Sequence, residues 1–417
     1  MSTPLFSVVI PTYNRSELVG SAIHSVLRQT CKDFEIIVCD NCSTDETPRV
    51  VTRLADGRLK YVRTPRHLFI SDNWEFGRSH ATGRLILILA DDDALVATAL
   101  ERFAGEAERH DADFLMCRVA DYRDRGFPGP TRNILECPPF LGSSRIIQVD
   151  EFVEPLFAFR PLETLDYHPS GFVFAKTLAD SIASRCGRFF KTNGVEFFAW
   201  PLAAVFTKRS VYIDAPLAIA GRTAKSWGAN VVLGNPGKER IDALIGDADH
   251  ERHCAPLRNF TIPNMMAEGM LMAKKLFPRE FERFEFDERE YLRRTFYELR
   301  DRRSLGVDVS KEMDEFVRYS DKYPSLKGLL SDRTMPKGSL VRRTRHTIGR
   351  LGGHKLQRQI QALQETWKVR RGEVHSGFVV SGDDFGFNDI LGCAEFLARI
   401  TSSSPEVAGR QSPPYSV

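Results

Sequence analysis

The sequence of 417 residues has no apolar run of 18 residues, so it predicts no transmembrane helix. Its start, MSTPLFSVVIPTYNR, lacks the basic, apolar and small-residue regions of a signal peptide, and we expect a cytoplasmic protein. The eight cysteines are scattered; Cys39 and Cys42 have C-x-x-C spacing, but no second pair follows at zinc-site spacing. This pattern argues against a disulfide scaffold and favours reduced, structural thiols.

A glycine-rich phosphate loop is also missing. The first strand pattern runs into PTYNRSE, which contains neither G-x-G-x-x-G nor G-x-x-x-x-G-K-[ST]. This argues against a dinucleotide-dependent enzyme and a P-loop NTPase. The formal net charge of +3 is too small to indicate nucleic acid as a partner.

The first 120 residues alternate between strand and helix patterns. Strand patterns lie at residues 6–14, 34–40, 59–65, 85–90 and 112–122, and helical patterns at 16–30, 43–55, 72–83 and 99–110. This order predicts an α/β fold with a mainly parallel sheet flanked by helices. The continuous apolar runs IIVC and LILIL are typical of strands buried on both faces.

The later chain changes character twice. Strand and helix patterns continue to about residue 235, and a strongly charged helical pattern follows to about 335. We predict one domain at 1–235, with a nucleotide-binding half at 1–120 and an acceptor-side half at 121–235. A helical domain at 236–335 and a basic C-terminal segment at 336–417, with a disordered tail, complete the predicted organisation.

The basic segment carries ten Lys or Arg residues and a single acidic residue between 337 and 371. A solvated basic helix is the simpler interpretation of this run. The alternative is peripheral contact with anionic lipid at the inner face of the membrane, or with a lipid-linked or polyanionic acceptor.

Three aspartates, Asp91, Asp92 and Asp93, directly follow the apolar strand pattern LILIL. Adjacent carboxylates repel one another, and a divalent cation removes that repulsion. Oxygen ligands favour Mg²⁺ or Mn²⁺, which proteins hold through one or two carboxylates together with substrate phosphates. The sequence therefore predicts a metal–diphosphate site; the alternative is an N-cap cluster for a helix starting near Ala94.

Polar residues also follow the other strand patterns. Asp40 ends the second strand pattern, where it could accept hydrogen bonds from a base or ribose, or else form a turn before Asn41. Because ligands of parallel α/β sheets bind outside the carboxyl ends of the strands, PTYNR, DNCSTD and DDD are expected to meet at one edge.

Three segments together resemble family 2 glycosyltransferases, which have the GT-A fold. They are FSVVIPTYNRSELVGSAIHSVLRQT, FEIIVCDNCSTDET and SDNWEFGRSHATGRLILILADDD, and they cover roughly residues 5 to 105. The resemblance implies inverting transfer of a sugar from a nucleoside-diphosphate-sugar donor to a hydroxyl of a saccharide or lipid-linked acceptor, as in polysaccharide biosynthesis. It also implies a Mn²⁺ or Mg²⁺ cofactor.

The resemblance assigns roles to individual residues. It implies base and ribose contacts from Pro11, Thr12 and Tyr13, a base contact from Asp40, a ribose contact from Asp91 and metal contacts from Asp92 and Asp93. Ala90, Asn41 and Cys42 depart from the family's usual L-D-x-D-D and D-D-G-S-x-D patterns. These departures leave the division of labour among the aspartates, and the base preference, open.

The resemblance also implies a general base, an Asp or Glu about a hundred residues past the aspartates. Glu196, in KTNGVEFFAWPL, is the first candidate, because neighbouring aromatic residues would raise its pKa, and Asp166 is the second. The alternative role of Glu196 is a charge at a helix N-terminus. Further candidate donor or acceptor contacts are Asn73, Arg78, Lys225, Ser226 and Trp227. A sugar-1-phosphate nucleotidyltransferase and a non-catalytic nucleotide-sugar-binding relative are the competing functions.

Overall fold

A computed structural model describes residues 3–127, 131–160, 167–192, 194–226, 254–304, 306–320, 322–323, 369 and 377–402. Asp166, Trp227 and nearly all of the basic segment at 337–371 lie outside these residues. In the part of the chain described, no helix is both long and apolar enough to cross a membrane. All eight cysteines lie within it and are free thiols, as the sequence predicted.

The described strands form one mixed sheet. They are β1 Phe6–Thr12, β2 Phe34–Asp40, β3 Leu59–Arg63, β4 Leu85–Ile88, β5 Ala94–Leu95, β6 Phe114–Arg123, β7 Ile134–Cys137, β8 Ser144–Ile147, β9 Phe172–Ala175, β10 Ser210–Arg222 and β11 Phe378–Ser381. The main order is β11-β7-β6-β9-β4-β1-β2-β3, and β10 pairs with β5, β6 and β8.

Helices connect and cover the strands. They are α1 Ser16–Leu27, α2 Thr47–Thr52, α3 Ile70–Ser79, α4 Ala99–His110, α5 Val149–Phe157, α6 Lys176–Cys186, α7 Val195–Phe206, α8 Ile262–Leu276, α9 Glu288–Ser304, α10 Ser310–Ser320, α11 Gly382–Phe385 and α12 Ile390–Ser402. A short 3₁₀ helix, Pro169–Gly171, precedes β9.

Strand directions confirm the predicted α/β class. β1 pairs in parallel with β2 and β4, and β2 pairs in parallel with β3. β9 runs antiparallel between β4 and β6, so β6 has the same direction as β4, and β10 is parallel to β6. Every residue of β1, β2 and β4 is buried, which explains their continuous apolar sequences.

The segment after the three aspartates differs from one expectation. Ala94–Leu95 forms β5, antiparallel to β10, and the next helix, α4, begins only at Ala99. The alternative that the aspartates are an N-cap cluster for a helix near Ala94 is therefore wrong. The aspartates form a turn between two strands, which we call the acidic turn (residues 90–93).

Helix α7 packs on the face of the sheet formed by β6 and β9. The ring of Trp200 is stacked 4.9 Å from Phe172 and tilted 5.6 Å from Phe174, and all three side chains are fully buried. The chain leaves α7 to begin β10, which is parallel to β6. The N-terminal end of α7 thus lies toward the carboxyl edge of the sheet, where the acidic turn is.

Helices α8 to α10 pack into the same apolar core as α7. A Cβ at Gly269 of α8 would lie 2.5 Å from the backbone carbon of Phe197, so only glycine permits this close approach of the two helices. The helical C-terminal extension expected from the sequence is therefore present between residues 254 and 320. The domain limits at 235 and 335 stay predictions, because both lie outside the described residues.

Candidate active site

The carboxyl ends of β1, β2 and β4 bring the three polar segments together. Asn14, after β1, donates its backbone N–H to Ser43 Oγ at 2.9 Å and accepts a hydrogen bond from Thr44 N at 2.8 Å. Arg15 Nη1 lies 2.6 Å from Asp91 Oδ1 in the acidic turn. The segments PTYNR, DNCSTD and DDD thus meet at one edge, as the order of strands predicted.

The acidic turn is held by buried anchors. Leu89 donates its backbone N–H to Val9 O at 2.9 Å, and the aliphatic side chains of β4 are buried. The side chains of Asp91, Asp92 and Asp93 are only 4%, 9% and 1% exposed. Three carboxylates with so little water around them are costly unless partners neutralise or hydrogen-bond them.

Arg15 supplies the positive charge nearest to Asp91. Its Nη1 also lies 3.7 Å from Asp92 Oδ1, and its Nη2 donates to the backbone oxygen of Lys225 at 2.5 Å. Burial raises the pKa of Asp91, and Arg15 opposes that rise. Arg15 therefore ties the start of α1 to the acidic turn and to the residues that follow β10.

Asp93 is the most deeply buried of the three carboxylates. Ser170 Oγ donates to its Oδ2, and Gly221 N donates to its Oδ1 at 2.9 Å. Burial, followed by the charge of Asp92, raises the pKa of Asp93 well above its usual range. His168 Nδ1 is 3.4 Å from Asp93 Oδ2, and burial lowers the pKa of His168 to about 4, so this imidazole is neutral. Asp93 thus joins the turn to β9 and β10.

Asp92 has the most available carboxylate of the acidic turn. Ser226 Oγ donates to its Oδ2 at 2.6 Å, whereas its Oδ1 has only the 3.7 Å approach of Arg15. A Cβ at Gly221 would lie 1.8 Å from the backbone oxygen of Asp92. Glycine is therefore required where β10 passes this turn.

The donor set of the turn fits a cation held by few protein ligands. Within the described residues, no group of three or more His, Cys, Asp or Glu side chains is arranged to hold a metal ion. Mg²⁺ and Mn²⁺ sites that share a diphosphate need only one or two carboxylates. Asp92 Oδ1 meets that requirement, whereas both oxygens of Asp93 already accept hydrogen bonds.

Asp40 forms a second polar centre at the end of β2. Its side chain is fully buried; Oδ1 accepts Ser43 N at 2.8 Å, and Oδ2 accepts Tyr61 OH at 2.5 Å and Arg63 Nη1 at 3.1 Å. Burial and the bond to Asp40 raise the pKa of Tyr61 to about 12. The guanidinium of Arg63 is half-exposed, so its contact with Asp40 is the most easily replaced by a ligand.

The residues at the end of β1 line the space between these two centres. Pro11 and Thr12 pair in register with Cys39 and Asp40 and are buried. The ring of Tyr13 lies 4.2 Å from that of His67, at an interplanar angle of 47°. Tyr13 is therefore placed to contribute an aromatic surface at the carboxyl edge.

Glu196 lies in the first turn of α7. Burial raises its pKa to about 7, the direction expected from its aromatic neighbours. Among the described residues, no hydrogen bond or ion pair joins Glu196 to the acidic turn. Its position at the N-terminal end of α7, toward the carboxyl edge of the sheet, and its raised pKa suit a general base, while its role stays a prediction.

Asn73 and Arg78 of α3 are occupied by contacts within the protein. Asn73 Oδ1 accepts the thiol of Cys39 at 3.0 Å, and Arg78 bonds Asp180 at 2.6 Å and Glu75 at 3.0 Å. Both side chains are buried. These contacts favour the helix-packing role over a donor contact.

Several residues of the site were not assigned a role from the sequence. Arg15 lies inside the PTYNR motif. Because PTYNR and DDD were expected to meet at one edge of the sheet, this basic side chain could have been predicted to contact the aspartates. Ser170 and Arg222 carried no local signal, because each reaches the turn from a distant strand. Arg222 Nε donates to Asp121 at 2.6 Å, and its charge acts on Asp92 and Asp93.

An open α/β sheet with carboxylates and basic groups at its carboxyl edge is the arrangement of nucleotide-binding α/β proteins. Residues 7–176 match the sequence model described as "Glycosyl transferase family 2". This match covers less than half of the 417 residues; over that part it supports the resemblance to family 2 glycosyltransferases, and the mixed α/β sheet agrees with the expected fold class.

Curated relatives match about a quarter of the chain. A Campylobacter jejuni protein named GalNAc(5)-diNAcBac-PP-undecaprenol beta-1,3-glucosyltransferase is 37% identical over 114 residues, covering 25% of this chain and 35% of its own length. A Mycobacterium bovis PGL/p-HBAD biosynthesis glycosyltransferase is 36% identical, covering 27% and 46%. An Escherichia coli UDP-Glc:alpha-D-GlcNAc-diphosphoundecaprenol beta-1,3-glucosyltransferase is 33% identical, covering 24% and 40%. The chain thus spans less than half the length of these relatives.

Solved structures align more extensively but less closely. S. aureus TarS 1-349 in complex with UDP-GlcNAc is 15% identical with a TM-score of 0.44, covering 77% of this chain and 91% of that chain. The mannosyltransferase PcManGT from Pyrobaculum calidifontis, in complex with GDP-Man and Mn2+, is 14% identical with a TM-score of 0.39, covering 96% and 87%. Values this low transfer neither a substrate nor a residue role.

Proposed function

We propose that the chain is an inverting, metal-assisted glycosyltransferase that moves a sugar from a nucleoside-diphosphate-sugar donor to a hydroxyl acceptor. The observation that carries this proposal is the acidic turn at the carboxyl edge of a family 2 domain, with Asp92 Oδ1 available to a ligand. The second centre, Asp40, lies at the end of a neighbouring parallel strand. The acidic turn suits the diphosphate of the donor, and the centre at Asp40 suits its nucleoside.

The nucleoside half of the donor is proposed to bind between β1 and β2. Asp40 would accept a hydrogen bond from the base in place of its contact with Arg63, and Tyr13 would offer its ring face. Pro11 and Thr12 form the floor of this space, because they are buried at the end of β1. Asp91, next to Thr12 in the structure, is the proposed ribose contact.

The diphosphate is proposed to lie over the acidic turn. Asp92 would hold a Mn²⁺ or Mg²⁺ ion, and this ion would supply positive charge to the departing nucleoside diphosphate. Asp93, which the sequence paired with Asp92 as a ligand, has both oxygens hydrogen-bonded, so its proposed contribution is to hold the turn against β10. Arg15 and Arg222 add fixed positive charge around the same space.

Inversion requires one group to take the proton of the acceptor hydroxyl as that oxygen attacks the anomeric carbon of the donor sugar. Glu196 is the proposed base, because a pKa of about 7 leaves it partly ionised at neutral pH and able to hold the proton afterwards. The bond to the diphosphate oxygen breaks on the opposite face of the sugar. Asp166 remains the second candidate and lies outside the described residues.

The proposed acceptor is a saccharide or lipid-linked saccharide. This rests on the names of two of the relatives, whose stated substrates include undecaprenol-linked diphosphates. The basic segment at 337–371 suits a negatively charged membrane surface, which is where such acceptors lie. Peripheral membrane contact and a cytoplasmic location are part of this proposal.

A thermal-shift panel tests the donor and metal together. UDP-, GDP-, dTDP- and CDP-sugars are each added with and without Mn²⁺. We expect one nucleotide class to stabilise the wild-type chain only with the metal, and Asp92→Ala to abolish this effect. Asp56→Ala, which removes a carboxylate from a half-buried pair with Arg58 before β3, is the matched control and should respond like the wild type. Absence of stabilisation by any donor under any metal condition would contradict the proposal.

Turnover by Glu196→Gln tests the base. We expect donor-dependent transfer to fall by about 10²-fold or more, because general base catalysis contributes at least that factor. Donor binding in the thermal-shift panel should remain, which separates lost chemistry from lost folding. Near-normal turnover would show that another group, with Asp166 as the first alternative, takes the proton.

A further inference from the structure

Residues 377–402 return to the catalytic sheet although they lie far beyond the family match at 7–176. β11 pairs antiparallel with β7, from Phe378 opposite Cys137 to Ser381 opposite Ile134. After the short helix α11, α12 packs against α1, β5 and β10. We call residues 377–402 the C-terminal clamp.

The clamp touches β10 at the residue that passes the acidic turn. Ile390, the first residue of α12, has its Cδ1 3.2 Å from the position of a Cβ on Gly221. Gly221 donates its N–H to Asp93 and closely approaches the backbone of Asp92. Ile390 therefore packs beside Gly221 at the place where this glycine passes Asp92 and Asp93.

A shared apolar core continues this contact. Ala94 and Val96, directly after the acidic turn, belong to one buried cluster with residues of the clamp. The clamp residues in it are Phe378, Val380, Phe387, Cys393, Ala394, Phe396 and Leu397. The strand that leaves the acidic turn thus packs on side chains from the far end of the chain rather than on its sequence neighbours alone.

Polar contacts fix the clamp in register. Gly382 N donates to Asn133 O at 2.8 Å, and Asn133 Nδ2 donates to Asp383 Oδ1 at 2.9 Å and to Phe387 O at 3.1 Å. Asn133 also accepts Tyr122 OH at 2.8 Å. These bonds join the clamp to β6 and to the start of β7, so its position is set by directional contacts as well as by apolar packing.

We infer that the C-terminal clamp is a positioning element of the active site: Ile390, by packing on Gly221, holds β10 against the acidic turn and so fixes the carboxylates of Asp92 and Asp93. The functional part of this inference rests on the proposed function. Its structural part, the coupling of Ile390 to the turn, does not.

The coupling has a defined physical route. Removing the side chain of Ile390 leaves a void beside Gly221, and a void lets the surrounding backbone relax. Gly221 N–H then loses its fixed distance to Asp93 Oδ1, and the antiparallel pair of β5 and β10 loosens with it. Stability of this region should fall locally, because strands β1 and β2 lie on the other side of β4.

Amide hydrogen exchange of the full chain without ligand tests this route. The amide of Gly221 donates to Asp93 Oδ1, and that of Val96 donates to Leu217 O of β10. In Ile390→Ala we expect both amides to exchange at least about fivefold faster than in the wild type, a typical size for coupling between sites. Ile390→Val, which removes one methylene, should give a smaller change of the same sign. Val379→Ala, at an exposed position on β11, is the matched control and should change neither amide.

The amide of Ile37 on β2 is the internal reference. An equal acceleration at Ile37 would indicate global destabilisation and would overturn the inference. Unchanged exchange at Gly221 in both Ile390 variants would overturn it as well.

Mn²⁺ affinity, measured by electron paramagnetic resonance in the presence of the nucleoside diphosphate that the thermal-shift panel selects, tests the functional part. We expect Ile390→Ala to bind Mn²⁺ at least about fivefold more weakly than the wild type, with Val379→Ala unchanged. Equal affinities would refute the positioning role while leaving the proposed function intact. Failure of the wild type to bind Mn²⁺ would instead contradict the metal site of the proposed function, and the exchange data would still decide the coupling.

Discussion

Replacing Gly221 by alanine adds a single methyl group, but it should displace the acidic turn and lower the free energy of unfolding. The added Cβ would lie 1.8 Å from the backbone oxygen of Asp92 and 2.8 Å from its carbonyl carbon. An ordinary contact is about 3.5 Å or more between such atoms. Both groups belong to the backbone, so no side-chain rotation can relieve the overlap, and β10 or the turn must move.

The expected cost follows from overpacking. Forcing extra atoms into a filled site costs typically about 1 to 3 kcal/mol, and an overlap with backbone belongs at the upper end, about 3 kcal/mol. The backbone at Gly221 has no positive φ, so conformational strain adds nothing to this figure. Nearly the whole loss is steric, and it falls on the two residues proposed to hold the metal and the turn.

Gly105→Ala is the matched control. Gly105 lies inside α4, and a Cβ there would meet nothing within 4 Å. The same chemical change should therefore stabilise the chain by about 0.5 to 1 kcal/mol, because alanine favours a helix more than glycine does.

Urea unfolding measures both variants, and equal m-values would show that the unfolded state is unchanged. Mn²⁺ affinity of Gly221→Ala, measured in parallel, should fall as the turn shifts. A Gly221→Ala variant within about 0.5 kcal/mol of the wild type, the range of ordinary surface changes, would refute the close approach of β10 to the turn.

Three further predictions concern charges and thiols. Arg15→Gln should destabilise the metal-free chain, measured by urea unfolding, by about 3 kcal/mol at pH 8, because the buried carboxylate of Asp91 loses its counter-charge. The loss should be smaller at pH 5, where Asp91 is more readily protonated, and equal losses at both pH values would contradict this reasoning. Glu196→Gln should raise the free energy of unfolding by up to about 3 kcal/mol above pH 7, because a folded-state pKa of about 7 makes ionisation of the wild-type glutamate unfavourable. Below pH 4.5 the glutamate is protonated in both states, so no gain is expected there, and a gain at pH 4 would show another cause. A maleimide should label half-buried Cys42 faster than buried Cys39, because burial raises the pKa of the Cys39 thiol to about 12. Bound nucleotide should slow the labelling of Cys42 and leave that of Cys39 unchanged.

The nucleotide-side half of the fold could be predicted because its signals are local. β1, β2 and β4 are buried on both faces, so nearly every residue in them is apolar, and the pattern gives their type and order directly. Helix ends were less accurate: α3 spans Ile70–Ser79, whereas the pattern extended to Gly83. A Cβ at Gly83 would instead lie 2.5 Å from the backbone nitrogen of Ser7, so a tertiary contact requires this glycine, which the sequence pattern read as the end of a helix.

The acidic turn and Asp40 could be located because strand order alone brings the ends of β1, β2 and β4 together. The residues that hydrogen-bond to the acidic turn could not be located in this way. Ser170, Gly221 and Ser226 reach the turn from 77 or more residues away along the chain, and serine or glycine in those positions has no distinctive local pattern. The packing of α8 to α10 on α7 was likewise hidden, because an apolar face does not reveal which element covers it.

The position of Ile390 also bears on the order in which the protein is made. Asp91 to Asp93 leave the ribosome about 300 residues before Ile390, which at 5 to 20 residues per second is a delay of roughly 15 to 60 seconds. During that interval the nascent sheet has its nucleotide-side strands but not α12, which packs on Gly221. A nascent chain should therefore fold its first half early and gain a fully ordered acidic turn only near the end of synthesis.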